Sequence, residues 1–363
     1  MVERIKAAAE MHEANLLIFD DDLRPAQGRE IEKMTEIKVI DRTELILDIF
    51  ARRARTKVAR AQVELAQMEY ELPRLRRLWD HLQRLGGGIG TRGPGETQLE
   101  SDRRNVRVRI TMLKKILKGV EIDRHEQRKR RTDMVRVALV GYTNAGKSTL
   151  MNELSGADVH TEDLLFATLD ATTRKLELPG GHEALLTDTV GLIKKLPHNL
   201  VVSFHATLEE VADADLLLHV VDASRPNCER FMDLADTVMR DIGIEDKPTR
   251  LIFNKIDRIV DGEGIERLGR VYPGSLFTSA VKGEGLDEVR RAICAFVESM
   301  EDVLDVAIPY SDGRLISKMY DIGEVLSTSD GEEVLEMRVR VPKPESARLR
   351  KLGVVREKPD QGQ

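Results

Sequence analysis

The residues best suited to chemistry lie in the stretch Gly141–Thr149, which reads GYTNAGKST. It has the spacing G-x-x-x-x-G-K-[ST], in which backbone N–H groups surround phosphate oxygens, Lys147 reaches the β- and γ-phosphates and the Ser148 hydroxyl ligates Mg²⁺. The apolar run VRVALV before it predicts a buried strand, and TLMNELSG after it predicts a helix whose N-terminus favours anions. We therefore predict a nucleotide-binding loop here, against the alternative of a chance match by a glycine-containing turn. Its members are Gly141, Tyr142, Thr143, Asn144, Ala145, Gly146, Lys147, Ser148 and Thr149.

A second group, Asp188-Thr189-Val190-Gly191, follows the strand-like segment ALLT. In the arrangement used by Ras-like GTPases, the aspartate holds Mg²⁺ through water and the glycine N–H meets the γ-phosphate. The D-x-x-G pattern is common by itself, so its weight comes from its order and position after the phosphate loop.

A third group, Asn254-Lys255-Ile256-Asp257, follows the strand-like TRLIF about 110 residues after the phosphate loop. The Asp257 carboxylate can accept from the guanine N1–H and N2 amine together, and adenine offers no such pair of donors. Lys255 is expected to lie over the base, and Asn254 to brace the loops. This pattern predicts selectivity for guanine.

Two further segments complete the predicted site. Ser279-Ala280-Val281 follows the strand-like SLFT, where the Ala280 N–H is expected to meet the guanine O6, although many GTPases carry lysine at the position of Val281. Within Phe166-Ala167-Thr168-Leu169-Asp170, Thr168 is the candidate Mg²⁺-binding threonine that γ-phosphate orders, with Thr172 and Thr173 as nearby competitors. Lys147, Thr168 and Gly191 are the expected catalytic groups, and Ser148, Thr168 and Asp188 the expected Mg²⁺ ligands.

Two positions bear on the mechanism. Leu192 follows Gly191, where Ras has the glutamine that orients the attacking water, so intrinsic hydrolysis is expected to be slow and to need help from elsewhere. Asn144 occupies the position that coordinates K⁺ in some GTPases without that glutamine. We therefore consider K⁺ as a further cofactor beside Mg²⁺ and GTP or GDP, against the alternative that Asn144 only satisfies the loop.

The elements that position these groups alternate between strand and helix over residues 132–302. This alternation predicts an α/β fold with a doubly wound, mostly parallel sheet and ligand loops at the strand carboxyl ends. The predicted strands are Val135–Val140, Arg174–Leu178, Ala184–Thr187, Leu216–Val221, Thr249–Phe253 and Gly274–Thr278, and the predicted helices lie near Ser148–Ser155, Asn199–Val211, Cys228–Ile242, Gly262–Arg270 and Gly285–Ser299.

Residues 44–131 carry two heptad stripes, which predict a long antiparallel helical hairpin. The first is expected to kink or divide near Pro73. A glycine-rich segment, 86–97, joins the stripes and includes Arg92. It is either a floppy linker or, at the tip of a basic hairpin, a probe for folded RNA. Before the hairpin, residues 1–43 predict a partial α/β segment. After the GTPase-like region, 303–363 predict a small α+β appendage with a polar tail.

Charge is unevenly distributed along the chain. Residues 51–131 hold roughly 22 basic and 10 acidic side chains, a net charge of about +12, which leaves about −18 for the rest of this chain of formal charge −6. Such segregation favours polyanion binding through the basic segment. The two cysteines, Cys228 and Cys294, and scattered histidines predict neither a disulfide framework nor a metal site. No secretion signal or membrane-length apolar run is evident, so a cytoplasmic monomer is expected, with peripheral membrane association as the alternative.

With these motifs placed, the chain resembles the HflX family of translational GTPases. The resemblance rests on GYTNAGKST, FATLDATTR, DTVG and NKID, together with IDRTELILDIFARRART, the heptads and GGGIGTRGPGETQLESDRR. It implies a cytosolic GTPase that binds the large ribosomal subunit, with the glycine-rich tip near the peptidyl-transferase centre. It also implies splitting of stalled or stressed ribosomes and hydrolysis stimulated by the ribosome. Family members usually carry a longer N-terminal α/β domain, so we expect a shortened one here.

Two other functions compete with ribosome splitting or rescue. A GTPase in subunit assembly or RNA modification could use the same basic hairpin on precursor subunits. An ATP-driven RNA helicase or chaperone with a regulatory GTPase is the third hypothesis, although the sequence shows no helicase motif set.

Overall fold

The computed structural model describes residues 1–77, 94–129, 134–156, 171–192, 210–241, 243–259 and 262–356. The region that carries the predicted nucleotide loops forms a six-stranded sheet in the order β4-β5-β3-β6-β7-β8. Only β4 runs antiparallel to its neighbour, β5. The strands are β3 Val135–Val140, β4 Thr172–Glu177, β5 Glu183–Asp188, β6 Leu216–Asp222, β7 Thr249–Asn254 and β8 Leu276–Thr278.

Helices cover both faces of this sheet and pack against it in three apolar clusters. They are α6 Lys147–Ser155, α7 Cys228–Asp241, α8 Gly262–Val271 and α9 Leu286–Ser299. Every residue of β6 is buried, as expected for a central strand with helices on both faces. The predicted mostly parallel α/β fold is confirmed. The helix predicted near Asn199–Val211 lies mostly outside the described residues.

The N-terminal segment contains a two-stranded parallel sheet, β1 with β2, flanked by helices. Its elements are α1 Val2–Met11, β1 Leu16–Phe19, α2 Pro25–Thr35, β2 Lys38–Asp41 and α3 Arg42–Arg53. Asp41 caps α3 by accepting from the Glu44 N–H, and it also accepts from the Tyr70 hydroxyl at 2.7 Å and from Arg74 at 3.2 Å. Burial, reinforced by this hydrogen bond to Asp41, raises the pKa of Tyr70. Because Asp41 is only 2 % exposed, this network ties the small sheet to the helices that follow.

The basic region consists mainly of α4 Lys57–Glu71 and the long α5 Pro94–Lys129. The α-helix ends at Glu71, two residues before Pro73, and a 3₁₀ segment Leu72–Arg77 follows, as the proline predicts. The two helices pack through Ala61, Leu65 and Leu113. Most of the predicted glycine-rich tip, including Arg92, lies outside the described residues.

The chain from α3 to the end of α4 has its own apolar core, which we call the helical core. It contains Ile46, Leu47, Phe50, Ala54, Ala59, Val63, Ala66 and Tyr70. Val190 of the D-x-x-G segment packs against this core, although it belongs to the sheet region. One residue of a predicted phosphate-sensing loop thus contacts the helices directly.

The C-terminal segment forms a three-stranded antiparallel sheet in the order β10-β11-β9. Its elements are β9 Glu301–Pro309, α10 Gly313–Ile322, β10 Glu324–Asp330, β11 Val334–Pro342 and α11 Lys343–Leu352. Within the described parts of the chain, no helix is long and apolar enough to cross a membrane.

Candidate guanine-nucleotide site

The carboxyl ends of the parallel strands bring the predicted loops together at one edge of the sheet. The phosphate loop follows β3, D-x-x-G begins at the last residue of β5, N-K-x-D begins at the last residue of β7, and Ser279 follows β8. This is the position at which ligands bind in open α/β sheets. Four segments that are far apart in sequence therefore lie at the same edge of the sheet.

Lys147 lies at the centre of the phosphate loop. It is 6 % exposed, and its Nζ donates to the carbonyl oxygens of Gly141 and Tyr142, at 3.1 Å each. Burial lowers the pKa of Lys147 to about 8, an effect that the nearby Asp188 carboxylate opposes. A buried ammonium held by neutral carbonyls gains a stronger partner when a polyphosphate enters, because charge-assisted hydrogen bonds are the stronger kind.

The last glycine of the phosphate loop, Gly146, is required because the Asn254 side chain approaches it closely. Gly146 has φ +93°, and a Cβ there would come 2.2 Å from Nδ2 of Asn254. The structure thus packs the phosphate loop directly against the N-K-x-D segment.

Two of the three predicted Mg²⁺ ligands are adjacent. The Ser148 hydroxyl donates to Oδ2 of Asp188 at 2.6 Å, and Asp188 is only 1 % exposed. A hydroxyl and a carboxylate are the hard oxygen donors that Mg²⁺ takes, so these residues fit the ion. Thr168, the third predicted ligand, lies outside the described residues, as does the whole of Phe166–Asp170.

The D-x-x-G segment pairs with the phosphate loop. Leu192 N–H donates to Gly141 O at 3.0 Å, and Thr143 N–H donates to Leu192 O at 3.2 Å. A Cβ on Gly191 would lie 2.8 Å from Cα of Thr143, so only glycine permits this approach. Thr189 donates from its hydroxyl to Leu139 O at 2.7 Å.

Leu192 is 9 % exposed and packs in a core cluster with Ala138 and Val140. A leucine in that environment offers no polar group to orient water, which agrees with the expectation of slow intrinsic hydrolysis.

The base side of the site is braced by Asn254, which is 1 % exposed. Its Nδ2 donates to Ala145 O at 2.9 Å, and its Oδ1 accepts from the Thr278 hydroxyl and the Ala280 N–H, at 3.1 Å each. Oδ1 of Asp257 accepts from the Ser279 hydroxyl at 2.6 Å. The predicted base-recognition segments are therefore hydrogen-bonded to one another. Ile256 begins a short 3₁₀ turn, and Val281 is 76 % exposed.

The sequence patterns did not single out Asp222, the last residue of β6. Its Oδ2 lies 3.0 Å from Nζ of Lys255, and its Oδ1 accepts from the Ser224 N–H and hydroxyl. Burial acts to raise the pKa of Asp222, but the bonds from Ser224 and Lys255 outweigh it and lower the pKa below the usual value. Its position at the end of the apolar strand LLLHVVD was the available signal, because the other loops follow strands of the same sheet.

Lys255 also reaches the phosphate loop. Its Nζ donates to Asn144 O at 2.6 Å and to Asn144 Oδ1 at 3.3 Å. Asn144 has φ +62°, a left-handed conformation that asparagine tolerates. The stem of Lys255 is thereby held between the base loops and the phosphate loop.

His219, on the middle strand β6, gives a pH prediction. Burial lowers its pKa from 6.5 to about 4, and the Lys147 ammonium acts in the same direction, while Oδ1 of Asp236 lies 3.8 Å from its Nδ1. The unfolded chain binds a proton between these two pKa values and the folded chain does not. We therefore expect full stability above about pH 6.5 and a loss of about 3 kcal/mol as the pH falls towards 4.

Urea unfolding between about pH 4.5 and 7 measures this effect. His219→Gln should reduce the acid slope, whereas the exposed His12→Gln should leave it unchanged. Equal slopes in wild type and His219→Gln would contradict the assignment.

Comparisons with known proteins agree with this geometry. Three family models match consecutive parts of the chain: "GTP-binding GTPase N-terminal" over residues 1–51, "GTP-binding GTPase Middle Region" over 53–131 and "50S ribosome-binding GTPase" over 136–255. A curated GTPase HflX from Caldanaerobacter subterraneus is 45 % identical over 352 residues, covering 96 % of this chain and 81 % of the relative. The GTPase HflX of Escherichia coli K12 is 43 % identical over 347 residues, covering 94 % and 80 %.

A solved GTP-binding protein from Sulfolobus solfataricus in complex with GDP is 25 % identical, with a TM-score of 0.46, and the match covers 82 % of this chain and 84 % of that one. The curated relatives, which this chain matches over about four fifths of their length, decide the family. On their evidence, and with the nucleotide loops assembled as described, the chain belongs to the HflX family of GTPases.

Proposed function

We propose that this GTPase binds the large ribosomal subunit and couples GTP binding and hydrolysis to the splitting or rescue of stalled ribosomes. The observation that carries the proposal is the combination, in one chain, of an assembled guanine-type site with a long basic helix. On α5, Arg104 and Arg107 are exposed and Arg103 is partly exposed. The name of the matching family model, a 50S ribosome-binding GTPase, supports the same partner.

The nucleotide part of the proposal assigns roles to the motif residues. Lys147 binds the β- and γ-phosphates, Asp257 and Ala280 N–H bind the guanine edge, and Lys255 and Asn254 hold the base loops. Ser148 and Asp188, with Thr168, hold Mg²⁺, which neutralises charge on the phosphates when bound. Gly191 N–H meets the γ-phosphate.

A potassium ion remains part of the proposal at Asn144. In this structure both oxygens of Asn144 accept from Lys255, which supports the alternative that Asn144 satisfies the loop. A K⁺ ligand would have to turn its Oδ1 away from that ammonium. Faster turnover in potassium than in sodium buffer at equal ionic strength would support the cation role, and equal turnover would exclude it.

Arg103, Arg104 and Arg107 are the residues proposed to meet ribosomal RNA. Arg109 lies on the same basic helix but is a weaker candidate, because its Nε and Nη2 donate to the two oxygens of Glu64 at 2.6 and 2.9 Å. That bidentate pair is used within the protein and fastens α5 to α4.

Replacing Arg103, Arg104 and Arg107 together with glutamine should weaken ribosome binding and reduce its salt dependence. Each arginine that neutralises a phosphate releases counterions on binding, so the slope of log K against log salt should fall by about one for each phosphate that the variant no longer neutralises. GTP affinity should remain unchanged. Sedimentation with purified ribosomes over a range of KCl concentrations, with a non-hydrolysable GTP analogue and with GDP, measures the binding.

A matched control neutralises three exposed basic residues of the C-terminal segment, Arg314, Arg350 and Lys351. This variant should bind ribosomes as wild type does. Capture of immature subunits alone, with assembled ribosomes left intact, would favour the subunit-assembly function. GTP turnover unaffected by ribosomes, with no co-sedimentation in either nucleotide state, would refute the proposal.

A further inference from the structure

A cluster of metal-ligating side chains lies where the sheet region meets the C-terminal segment, away from the nucleotide loops. Among the described residues, His182, Cys294 and Glu298 bring one ligand atom each within 4.8 Å of the others. His182 and Cys294 are each 7 % exposed, whereas Glu298 is exposed and opens the cluster to solvent. No step proposed for GTP hydrolysis uses any of these residues.

The local fold explains the convergence. Cys294 and Glu298 are four residues apart on α9, so their side chains share one helix face. His182 ends the turn that follows β4, and that turn is closed by Leu178 N–H donating to His182 O at 2.9 Å. The Cys294 thiol lies 3.3 Å from Pro179 O, which places α9 against this turn.

The distances suit a small divalent ion. Nε2 of His182 lies 3.6 Å from Oε1 of Glu298, and Sγ of Cys294 lies 3.7 Å from the same oxygen. Ligand atoms around a tetrahedral zinc are separated by roughly 3.3–3.8 Å, given bond lengths of about 2.0–2.3 Å. Two of the three distances between ligand atoms therefore already have the value that a tetrahedral zinc site requires.

A carboxylate lies near the second nitrogen of the imidazole. Nδ1 of His182 lies 3.3 Å from Oε2 of Glu301, the first residue of β9. The two atoms are not hydrogen-bonded in this structure. A hydrogen bond from Nδ1–H to this carboxylate, formed when an ion binds, would fix the tautomer that leaves Nε2 available to the metal. Glu301 is itself within 4.0 Å of Arg340, which offsets its charge.

From this arrangement we propose that His182, Cys294 and Glu298 form a site for a divalent transition ion of the zinc class, with Glu301 as the residue that positions His182. The Cys294 proton passes to solvent when the ion binds, and the resulting thiolate with the Glu298 carboxylate balances the charge of the ion. The fourth position is left for water. The bound ion would join the turn after β4, the last turn of α9 and the start of β9.

Cobalt(II) is the probe, because a cobalt–thiolate bond gives a charge-transfer absorption in the near ultraviolet that oxygen ligands do not give. The full chain is titrated with CoCl₂ without nucleotide, so that Ser148 and Asp188 contribute at most an oxygen site. The chain has two cysteines, and this allows matched variants. We expect the band in wild type and in Cys228→Ser at one ion per chain, and its loss in Cys294→Ser.

Two further variants test the geometry without removing a buried group. Glu298→Gln alters an exposed ligand, and Glu301→Gln alters the partner of Nδ1; each should weaken cobalt binding ten- to hundredfold. Zinc should displace cobalt and abolish the band. Absence of the band in wild type, its persistence in Cys294→Ser, or unchanged affinity in both glutamate variants would overturn the site and leave only an ion-pair cluster around His182.

Discussion

Replacing Asp257 with asparagine is expected to change the ratio of GTP to XTP affinity by about 10⁴-fold in favour of the xanthine nucleotide. The carboxylate is proposed to accept two donors from guanine, and asparagine replaces one acceptor with an NH₂ group. That group is a donor, which suits the extra carbonyl of xanthine. Competition of both nucleotides against a fluorescent analogue measures the ratio.

The contact between Asp257 and Ser279 makes this substitution informative. The asparagine Oδ1 can still accept from the Ser279 hydroxyl, so the bond that now joins the two loops at 2.6 Å is kept. Ser279→Ala serves as the control, because it removes that bond and leaves the carboxylate in place. It should lower the affinity for GTP and XTP alike. Unaltered guanine preference in Asp257→Asn would contradict the base-recognition role.

Replacing Asn254 with alanine is expected to weaken nucleotide binding at least 100-fold and to lower the free energy of unfolding by about 3 kcal/mol. The substitution removes the partner of Ala145 O, the Thr278 hydroxyl and the Ala280 N–H in one step. Buried polar groups that lose their partners cost about 1–3 kcal/mol each, and a part of that cost is recovered by local relaxation.

Urea denaturation and calorimetric titration with GDP measure the two effects separately. The exposed Asn15→Ala, ahead of β1, should change stability by less than about 0.5 kcal/mol and leave GDP affinity intact. A variant with wild-type stability but reduced affinity would show that Asn254 acts on the nucleotide alone rather than on the three loops.

The sequence patterns predict the sheet region closely. The strand predicted over Val135–Val140 has the same bounds in the structure, and the helix predicted near Ser148–Ser155 begins one residue earlier, at Lys147. Both elements carry strong local signals: a β-branched apolar run, and a phosphate-loop motif whose glycine begins a helix. Local signals of this kind are what single-sequence analysis detects well.

The contacts between distant segments could not be predicted in the same way. Nothing in the sequence near Arg109 indicates that its guanidinium pairs with Glu64. Likewise, nothing near Asn144 indicates that its oxygens accept hydrogen bonds from Lys255. Val190 is apolar like many loop residues, and only the fold shows that it packs on the helices. His182 and Cys294 are 112 positions apart, so a metal site built from them has no motif spacing to detect.

Val190 stands next to the glycine proposed to sense the γ-phosphate, yet it packs against the helical core around Phe50. If nucleotide exchange displaces this loop, the helices must repack with it. Thermodynamic linkage then applies. If GTP changes the affinity of the helices for their partner by some factor, the partner changes the affinity for GTP by the same factor. A substitution at Val190 would leave GTP and the partner each able to bind alone. The coupling free energy between the two binding events would then fall to zero, and this loss identifies the role of the Val190 side chain.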